Sequence, residues 1–407
     1  MSTRVFRARR LLPALGTWIE DGGLLVEGGR VRRCLSSPAS VRRALRAGAK
    51  LTDLGDVVLT PGLINAHAHL ELSGLAGALP RGPDFKTWVA RLLELRTRRS
   101  ADTLEADARA GADAALASGT TCVGDVDSVG ASERGLADHA QRSVLFREVL
   151  DAQDPARTPP ALARLGRALR RRVRRTEGLA PHAPFTVSPA LFEGLGALAR
   201  RRAVAVSMHW SETEQEVRWL ETGEGPYTAW LGRSPLRSGL DLLEAAGLLR
   251  APLALVHGNF PRRGEPARIA AAGAVVVHCP RSHAWFERPP FPLARYLRAG
   301  VAVALGTDSL ASNEDLDLHR EAAQLSRTAP GLAPEVLWRM LTLNGARALG
   351  LPDRVGELRP GAWADFNAYA VSAQSPRGFL EQVLAGDADR PRVAVAGRPH
   401  PGTVARP

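Results

Sequence analysis

Residues 253–308 read LALVHGNFPRRGEPARIAAAGAVVVHCPRSHAWFERPPFPLARYLRAGVAVALGTD. Three short apolar runs, at 253–257, 274–278 and 301–308, alternate in this stretch with longer segments rich in Ala, Leu and Arg. The first two runs end in a histidine and the third ends in an aspartate. Short apolar runs separated by amphipathic segments are typical of βα units around a parallel sheet. The stretch therefore predicts three consecutive parallel strands.

Five more runs of the same kind precede this stretch along the chain. They lie at residues 57–67, 120–125, 144–149, 178–182 and 204–209. Eight βα units predict an α/β fold of the TIM type, a (β/α)8 barrel, to which we assign residues 58–354. The active site of such a barrel is expected at the C-terminal ends of the strands.

The two ends of the chain follow a different pattern. Short apolar runs bounded by glycine-containing turns mark them, with runs at 24–26, 364–369 and 393–395 and turns at 21–23 and 27–29. Such a pattern predicts β-hairpins. Because neither end is long, we expect residues 1–57 and 355–407 to pack together as one small β-sandwich domain.

The composition of the 407 residues is that of a globular protein. Hydrophobic residues make up 45% and charged residues 24%, which excludes disordered and collagen-like chains. No run approaches the roughly 20 apolar residues of a membrane span, and residues 1–16 lack the apolar core of a secretory signal. We therefore expect a cytoplasmic protein with no membrane partner. Cys34, Cys122 and Cys279 are odd in number and widely spaced, so reduced thiols are expected.

The formal net charge of +12, from 54 basic and 42 acidic residues, raises the question of a nucleic-acid partner. Only Lys50 and Lys86 among the basic residues are lysines, so the arginine excess resembles a compositional bias. The densest basic run predicts an amphipathic helix with a solvated arginine face. Its apolar members are Leu162, Leu165, Leu169 and Val173, and its basic members are Arg164, Arg167, Arg170, Arg171, Arg172, Arg174 and Arg175. The run has no interleaved aromatic residues, so no nucleic-acid partner is expected.

Histidines gather at the predicted strand ends. Six of the ten lie at or next to C-terminal ends: His67, His69, His182, His209, His257 and His278. In a barrel these positions converge on one pocket. Neutral imidazole is the commonest metal ligand, and such a cluster suits zinc or iron. The sequence therefore predicts a metal site at the mouth of the barrel.

Two short motifs stand out among these strand ends. The sequence His-Ala-His at 67–69 places two imidazoles on one side of an extended segment. The sequence His-Trp-Ser-Glu at 209–212 adds a carboxylate three residues after a histidine, which brings a ligand and a proton-transfer group to one site. His257 and Asp308 end two further strands. Each alone is at least as well explained by a structural role, but together they favour a catalytic metal site.

These motifs resemble the amidohydrolase superfamily, in particular its mononuclear metal-dependent deaminase branch. The stretches that carry the resemblance are PGLINAHAHLE at 61–71, HWSE at 209–212, VH at 256–257, LGTD at 305–308 and the GEL, PG and ADF triplet of motifs within 356–366. Within that branch the chain is similar to the chlorohydrolase/aminohydrolase group. The Glu-Leu-Ser at 71–73 and the segment 182–189 are most similar to aminofutalosine deaminases.

The resemblance implies a hydrolytic deaminase that acts on an aminated heterocycle, such as the purine nucleoside-like aminofutalosine, and releases ammonia. The implied ligands of one divalent metal, zinc or alternatively iron, are His67, His69, His209 and Asp308. The implied catalytic residues are Glu212, His257 and Asp308. Asp308 and His257 would orient and deprotonate the attacking water, while Glu212 would protonate a ring nitrogen as the metal hydroxide attacks. Binuclear relatives use a strand-four lysine, and because no lysine follows Lys86 a lysine-bridged pair is excluded.

Six residues are candidate substrate contacts: His182, Glu71, Trp88, Ser282, His283 and Ser309. His182 lies in a segment that resembles one with a substrate-facing histidine in related deaminases. The sequence Cys-Pro-Arg-Ser-His at 279–283 departs from the Cys-Pro-x-Ser-Asn pattern of many family members. We therefore expect a different pocket rim, and guanine or adenosylhomocysteine specificity does not transfer directly.

Other functions remain open at this point. The same type of site releases chloride or an alkylamine in triazine hydrolases, and a cyclic amide or imidazolone hydrolase is a further alternative. A scaffold protein that has lost its metal is disfavoured because every presumed ligand is present. The expected partner is a small-molecule substrate. Related barrels are often dimers, which leaves a homodimer open.

Overall fold

The computed structural model describes residues 3–82, 84–169, 175–250, 252–385 and 391–399. The strands are β1 (Thr3–Ala14), β2 (Thr17–Glu27), β3 (Arg30–Leu35), β4 (Lys50–Asp53), β5 (Val58–Pro61), β6 (Leu63–Ala68), β7 (Thr120–Asp127), β8 (Arg142–Val149), β9 (Arg175–Pro181), β10 (Val206–Trp210), β11 (Leu253–His257), β12 (Val275–His278), β13 (Ala302–Leu305), β14 (Phe366–Tyr369), β15 (Arg392–Val395) and β16 (Arg398–Pro399). They form two sheets, a barrel and a mixed sheet built from both chain ends.

Helices lie mainly between the barrel strands. They are α1 (Pro38–Arg46), α2 (Phe85–Thr97), α3 (Ala101–Ala117), α4 (Ala131–Gly135), α5 (Thr158–Ala168), α6 (Pro189–Arg202), α7 (Glu214–Thr222), α8 (Thr228–Leu231), α9 (Gly239–Ala245), α10 (Glu265–Ala271), α11 (Pro280–Trp285), α12 (Leu293–Arg298), α13 (Leu318–Thr328), α14 (Pro334–Leu341), α15 (Leu343–Ala348) and α16 (Pro376–Ala385). Short 3₁₀ segments lie at Leu70–Leu75, Pro155–Arg157 and Leu248–Arg250. In the described part of the chain, no helix has the length and apolar character needed to cross a bilayer.

Strands β6 to β13 form the barrel, each pairing in parallel with the next along the chain. The ring closes where Ala68 and Asp308 form a parallel bridge and the Thr307 amide donates to the His67 carbonyl at 3.0 Å. Every residue of β6, β7, β10, β11 and β12 is buried. Burial on both faces is the reason these strands read as continuous apolar runs. The predicted TIM-type barrel is confirmed.

The first predicted strand, 57–67, is wrong as a single strand. It is two strands that belong to different sheets: β5 pairs with β1 and β14 in the terminal sheet, and β6 begins the barrel. The chain changes sheets at Gly62, whose amide donates to the Asp365 carbonyl at 3.1 Å. A Cβ at Gly62 would lie 2.1 Å from Thr121 Oγ1, so only glycine allows this close approach.

The terminal strands form one mixed sheet in the order β16-β15-β14-β5-β1-β2-β3, with β4 beside β1. This confirms a small β unit made by both chain ends. The predicted turn at 27–29 is confirmed, since Gly28 and Gly29 have φ of 59° and 76° between β2 and β3. The predicted turn at 21–23 is wrong. Gly22 lies within β2, where a Cβ would meet the Leu35 carbonyl at 2.3 Å, and the turn comes earlier, at Gly16.

The division of the chain at residues 57–58 and 354–355 stays a prediction. The sheet pairing crosses it, because β5 belongs to the terminal sheet. The C-terminal segment also reaches the barrel helices: Phe379 of α16 packs edge-on against Trp338 of α14, with ring centroids 5.8 Å apart. Both units therefore share packing surfaces.

The predicted arginine-rich helix is α5, which ends at Ala168. Its apolar face is confirmed at Leu165, which is buried. Residues 170–174, with Arg170, Arg171, Arg172, Val173 and Arg174, lie outside the described residues. Arg175 is wrong as a helix member because it pairs with Ser143 of β8 and begins β9.

Candidate active site

The four predicted metal ligands meet at the mouth of the barrel. His67 lies near the end of β6 with His69 just beyond it, His209 lies in β10, and Asp308 follows β13. The Nε2 atoms of His69 and His209 are 3.3 Å apart. Asp308 Oδ1 lies 3.7 Å from His67 Nε2 and 3.8 Å from His69 Nε2, which is longer than a hydrogen bond. The four side chains thus surround one small volume.

The bonding of these side chains fits a metal. His67 is buried, and neither of its ring nitrogens has a hydrogen-bond partner among the described residues. A buried unpaired nitrogen is costly unless something coordinates it. His209 Nδ1–H donates to the His182 carbonyl at 2.9 Å, which leaves the Nε2 lone pair facing the site. Three imidazole nitrogens and one carboxylate are a donor set that zinc or iron accepts.

Asp308 is held from behind. Its Oδ2 accepts hydrogen bonds from Ser282 Oγ at 2.6 Å and Ser312 Oγ at 3.1 Å, and its Oδ1 accepts from the Ser309 amide at 2.9 Å. Burial alone would raise the pKa of Asp308, but the nearby imidazoles of His67 and His257 outweigh burial and hold this pKa well below its usual range. Asp308 is therefore a carboxylate.

Glu212 and His257 form a second pair beside the donor set. Glu212 Oε2 lies 3.7 Å from His257 Nε2, and Glu212 Oε1 lies 3.4 Å from Arg288 Nη2. Burial raises the pKa of Glu212, with Arg288 opposing it. Burial also lowers the pKa of His257 well below its usual value. The pair therefore joins a carboxyl group that keeps its proton to higher pH than usual to an imidazole that stays neutral to lower pH than usual, which suits proton transfer.

A cavity of about 290 Å³ opens over these groups. Aromatic and aliphatic side chains of α2, α8 and neighbouring loops form much of its wall, among them Phe85, Trp88, Leu92, Leu93, Phe185, Trp230, Leu231 and Phe286. His69, His209, Glu212, His257 and Asp308 line its floor. An apolar chamber with a few convergent polar groups is the usual form of a small-molecule site.

Three predicted substrate contacts, His182, Trp88 and Ser309, line this cavity. The other three do not lie on its wall, because polar partners hold them behind it. Glu71 pairs with Arg96 at 3.1 Å, and Ser282 donates to Asp308. His283 shares hydrogen bonds with Asn259 Oδ1 at 3.1 Å and with the Pro289 carbonyl at 2.8 Å.

Several cavity residues were missed by the sequence analysis, and two had a readable signal. Arg96 follows Trp88 and Leu92 at four-residue spacing, which is one face of a helix. Glu148 follows Val144 and Phe146 at two-residue spacing, which is one face of a strand. Arg288 and Ser312 had no such signal, because their loops bring them to the site only in three dimensions.

A (β/α)8 barrel with three histidines and an aspartate gathered at its mouth defines a metal-dependent hydrolase. The model of the Amidohydrolase family matches residues 58–395, and the chain belongs to this family. The family is metal-dependent, and the protein is a hydrolase of C–N bonds other than peptide bonds.

Two curated relatives and one solved structure illustrate the similarity. An aminodeoxyfutalosine deaminase of Deinococcus radiodurans is 33% identical over 365 residues, which cover 84% of this chain and 84% of the relative. A 5-methylthioadenosine/S-adenosylhomocysteine deaminase of Nitratidesulfovibrio vulgaris is 30% identical over 375 residues, which cover 88% and 82%. The crystal structure of an adenosine deaminase from Xanthomonas campestris with bound zinc has a TM-score of 0.82 and 27% identity, covering 98% of this chain and 92% of that one.

Proposed function

We propose that the protein is a metal-dependent deaminase that hydrolyses the exocyclic amine of a purine nucleoside-like substrate. The observation that carries the proposal is the meeting of a three-histidine, one-aspartate donor set with the buried Glu212–His257 pair on one cavity floor. The three similar proteins described above are each named as a deaminase, which supports the same reaction.

His67, His69, His209 and Asp308 would hold one divalent metal, for which zinc is the first candidate and iron the alternative. The zinc in the similar adenosine deaminase structure supports this choice. When bound, such a metal supplies a water molecule of lowered pKa as the nucleophile.

The chain's own groups would move the protons of the reaction. Glu212, whose pKa burial raises, donates its proton to the ring nitrogen next to the amine-bearing carbon. Neutral His257 holds a hydrogen bond to the attacking water, and the Asp308 carboxylate takes a proton from that water and passes it to the departing amine. One water is consumed: its second proton would return to Glu212 as the new C–O bond becomes C=O, the C–N bond breaks, and ammonia leaves.

The cavity walls favour a substrate with a ring and an apolar extension. The cavity volume of about 290 Å³ lies just below the lower end of the range for small-molecule sites, roughly 300 to 1,000 Å³. Trp88 and Phe286 pack edge-to-face on the cavity wall, with ring centroids 5.0 Å apart, and offer an aromatic surface to a ring. Aminodeoxyfutalosine and methylthioadenosine, which appear in the names of the two similar deaminases, are the first substrates to test.

The test is ammonia release by purified protein of measured zinc content. The panel contains aminodeoxyfutalosine, methylthioadenosine, S-adenosylhomocysteine, adenosine and guanine. Release from one of the adenosine derivatives supports the proposal and names the substrate. If protein with one zinc per chain releases no ammonia from any compound, the proposed reaction is wrong.

A further inference from the structure

Glu148 is a carboxylate on the cavity wall that the mechanism above does not use. Val144 and Phe146 of β8 pack inside the barrel, and alternate strand residues share a face, so Glu148 points inward at the mouth. One oxygen of Glu148 and ring nitrogens of His182 and His209 lie within 4.8 Å of one another. We call Glu148 and His182 the polar wall.

The polar wall stands across the floor from the proton-transfer pair. The ring of His209 lies between them, with its centroid 5.1 Å from that of His182 and 5.5 Å from that of His257. A bound molecule that reaches Glu212 with one end can therefore touch Glu148 with another. That spacing suits a substrate of two joined parts rather than a single small ring.

Both members of the polar wall accept hydrogen bonds. His182 Nδ1 lies 2.8 Å from Thr186 Oγ1, whose own proton goes to the Ala183 carbonyl at 3.1 Å. His182 Nδ1–H must therefore be the donor, which leaves the Nε2 lone pair free to accept. A carboxylate oxygen and an imidazole lone pair face the same volume, and both accept hydrogen bonds. The group that binds there must therefore be a hydrogen-bond donor.

A second metal does not meet this need. His209 donates through Nδ1 to the His182 carbonyl, and its Nε2 belongs to the first donor set. Only Glu148 and His182 remain, and two ligands are too few for a structural or catalytic zinc site.

An anionic group does not meet it either. Arg96 is the cation on this side of the cavity among the described lining residues, and it already pairs with Glu71 at 3.1 Å. The charge of Arg96 also acts on Glu148, so two carboxylates share one guanidinium. The Arg96 guanidinium is therefore already engaged, and a bound anion on this wall would lie against the Glu148 carboxylate, which would repel it.

We propose that Glu148, with His182 Nε2, binds the sugar hydroxyls of the substrate and selects ribonucleosides over free bases and dideoxynucleosides. The proposal rests on the proposed function and extends it to the substrate class. Two neighbouring hydroxyls can donate in parallel to one carboxylate, and the Ser128 side chain lines the same cavity wall as Glu148.

The test compares adenosine with 2′,3′-dideoxyadenosine. For the zinc-loaded wild type, kcat/KM should favour adenosine by about 100-fold, since a site built for a hydroxyl rejects the analogue that lacks it. In Glu148→Gln the value for adenosine should fall about 30-fold and that for the dideoxy compound less than about 3-fold, because only adenosine loses a charge-assisted bond. Glu214→Gln, an exposed charge loss on α7, is the matched control. Equal losses on both compounds would overturn the proposal.

A binding measurement separates this proposal from the proposed reaction. Zinc-loaded Glu212→Gln should bind adenosine at least about 10-fold more tightly than the dideoxy compound, read from the fluorescence of Trp88 and Trp230 on the cavity wall. This comparison does not require the Glu148 variant to fold. If Glu212→Gln binds adenosine selectively but the wild type releases no ammonia, the proposed reaction is wrong and the proposed sugar-binding site is supported. Equal affinities, or no binding of either compound, would overturn the sugar site.

Discussion

His257 and Asp308 reach the site from a left-handed backbone. Their φ angles are 73° and 58°, a region that non-glycine residues enter at a cost of order 1 kcal/mol. Neighbouring strands hold them there: the Asp308 amide donates to the His67 carbonyl at 3.1 Å, and the Gly258 amide donates to the Trp210 carbonyl at 2.9 Å. The barrel thus fixes His257 and Asp308 in a conformation that a free chain disfavours.

The two serines behind Asp308 should matter for the metal. Replacing Ser282 and Ser312 together by Ala leaves the buried Oδ2 without its donors. We expect metal affinity to fall about 10- to 100-fold, measured by equilibrium against a competing chelator. Ser309→Ala is the control, because Ser309 holds Asp308 through its backbone amide. Unchanged affinity in the double variant would contradict the supporting role of the two hydroxyls.

The proposed proton donor gives a second prediction. Glu212→Gln keeps the shape of the side chain but removes the proton it would deliver, and kcat should fall about 10²- to 10⁴-fold. Zinc content should stay near one per chain because Glu212 is outside the donor set. Glu214→Gln, two residues away and exposed, should leave kcat unchanged. Substantial turnover by Glu212→Gln would remove Glu212 from its proposed role.

Among single residues, the site residues at strand ends were predictable from the sequence, and those positioned by loops were not. Strand ends are readable because an apolar run stops at a polar residue, as at His209 and His257. His283 is held behind the cavity wall by hydrogen bonds to Asn259, which is distant in sequence, and to the carbonyl of Pro289, which lies in a loop. No local sequence pattern indicates this position. Arg288 lies in a loop and meets Glu212 across 76 residues of chain.

The passage from β5 to β6 is the point where two sheets share one segment. Gly62 packs against Thr121 of β7, where a Cβ would approach within 2.7 Å of Thr121 Cβ. The Thr121 side chain is β-branched and buried, so it has little freedom to move.

Gly62→Ala should therefore destabilise the fold by about 1 to 3 kcal/mol, the usual cost of overpacking. Gly166→Ala is the control, because Gly166 lies in α5 with no atom within 4 Å of the added Cβ. That change should be neutral or stabilise by about 0.5 to 1 kcal/mol. Denaturant unfolding of both variants measures the difference. Similar stability of the two variants would show that Thr121 gives way.

Element types were predictable where one periodicity dominates, and boundaries were not. The run 57–67 is mostly apolar and was interpreted as one strand, although its Pro61-Gly62 dipeptide is a turn signal and lies where the chain changes sheets. The glycines at 22–23 indicated a turn, but glycine also serves where another strand's backbone comes close, and β3 does so at Leu35. The basic stretch contains the end of α5 and the start of β9. Strand β9 begins at Arg175 because this residue pairs with β8, a contact that the local sequence does not reveal.

Across the whole molecule, the three cysteines are free thiols, of which Cys122 and Cys279 are buried and Cys34 is half-buried. Burial raises the pKa of Cys34 to about 11 and that of Cys122 to about 12, and it raises the pKa of Cys279 well above its usual value. A raised pKa keeps a thiol protonated as pH rises, so at pH 8 only about one Cys34 in a thousand is the reactive thiolate.

Native protein treated with iodoacetamide at pH 8 should therefore gain no adduct in the time that the urea-unfolded chain gains three. Intact mass measures the adducts. Reactivity of Cys34 should appear only as the pH approaches about 11. Rapid labelling of folded protein at pH 8 would contradict the protected state of these thiols.

The seam that closes the barrel has a consequence for synthesis. His67 and His69 come from the first strand of the ring, and Asp308 follows the last. Because a chain leaves the ribosome from its N-terminus, three of the four donors have emerged once His209 is out, and the fourth is missing until the eighth strand is complete. An unfinished or truncated barrel therefore cannot assemble the full donor set. We therefore expect chains that end before Asp308 to lack activity.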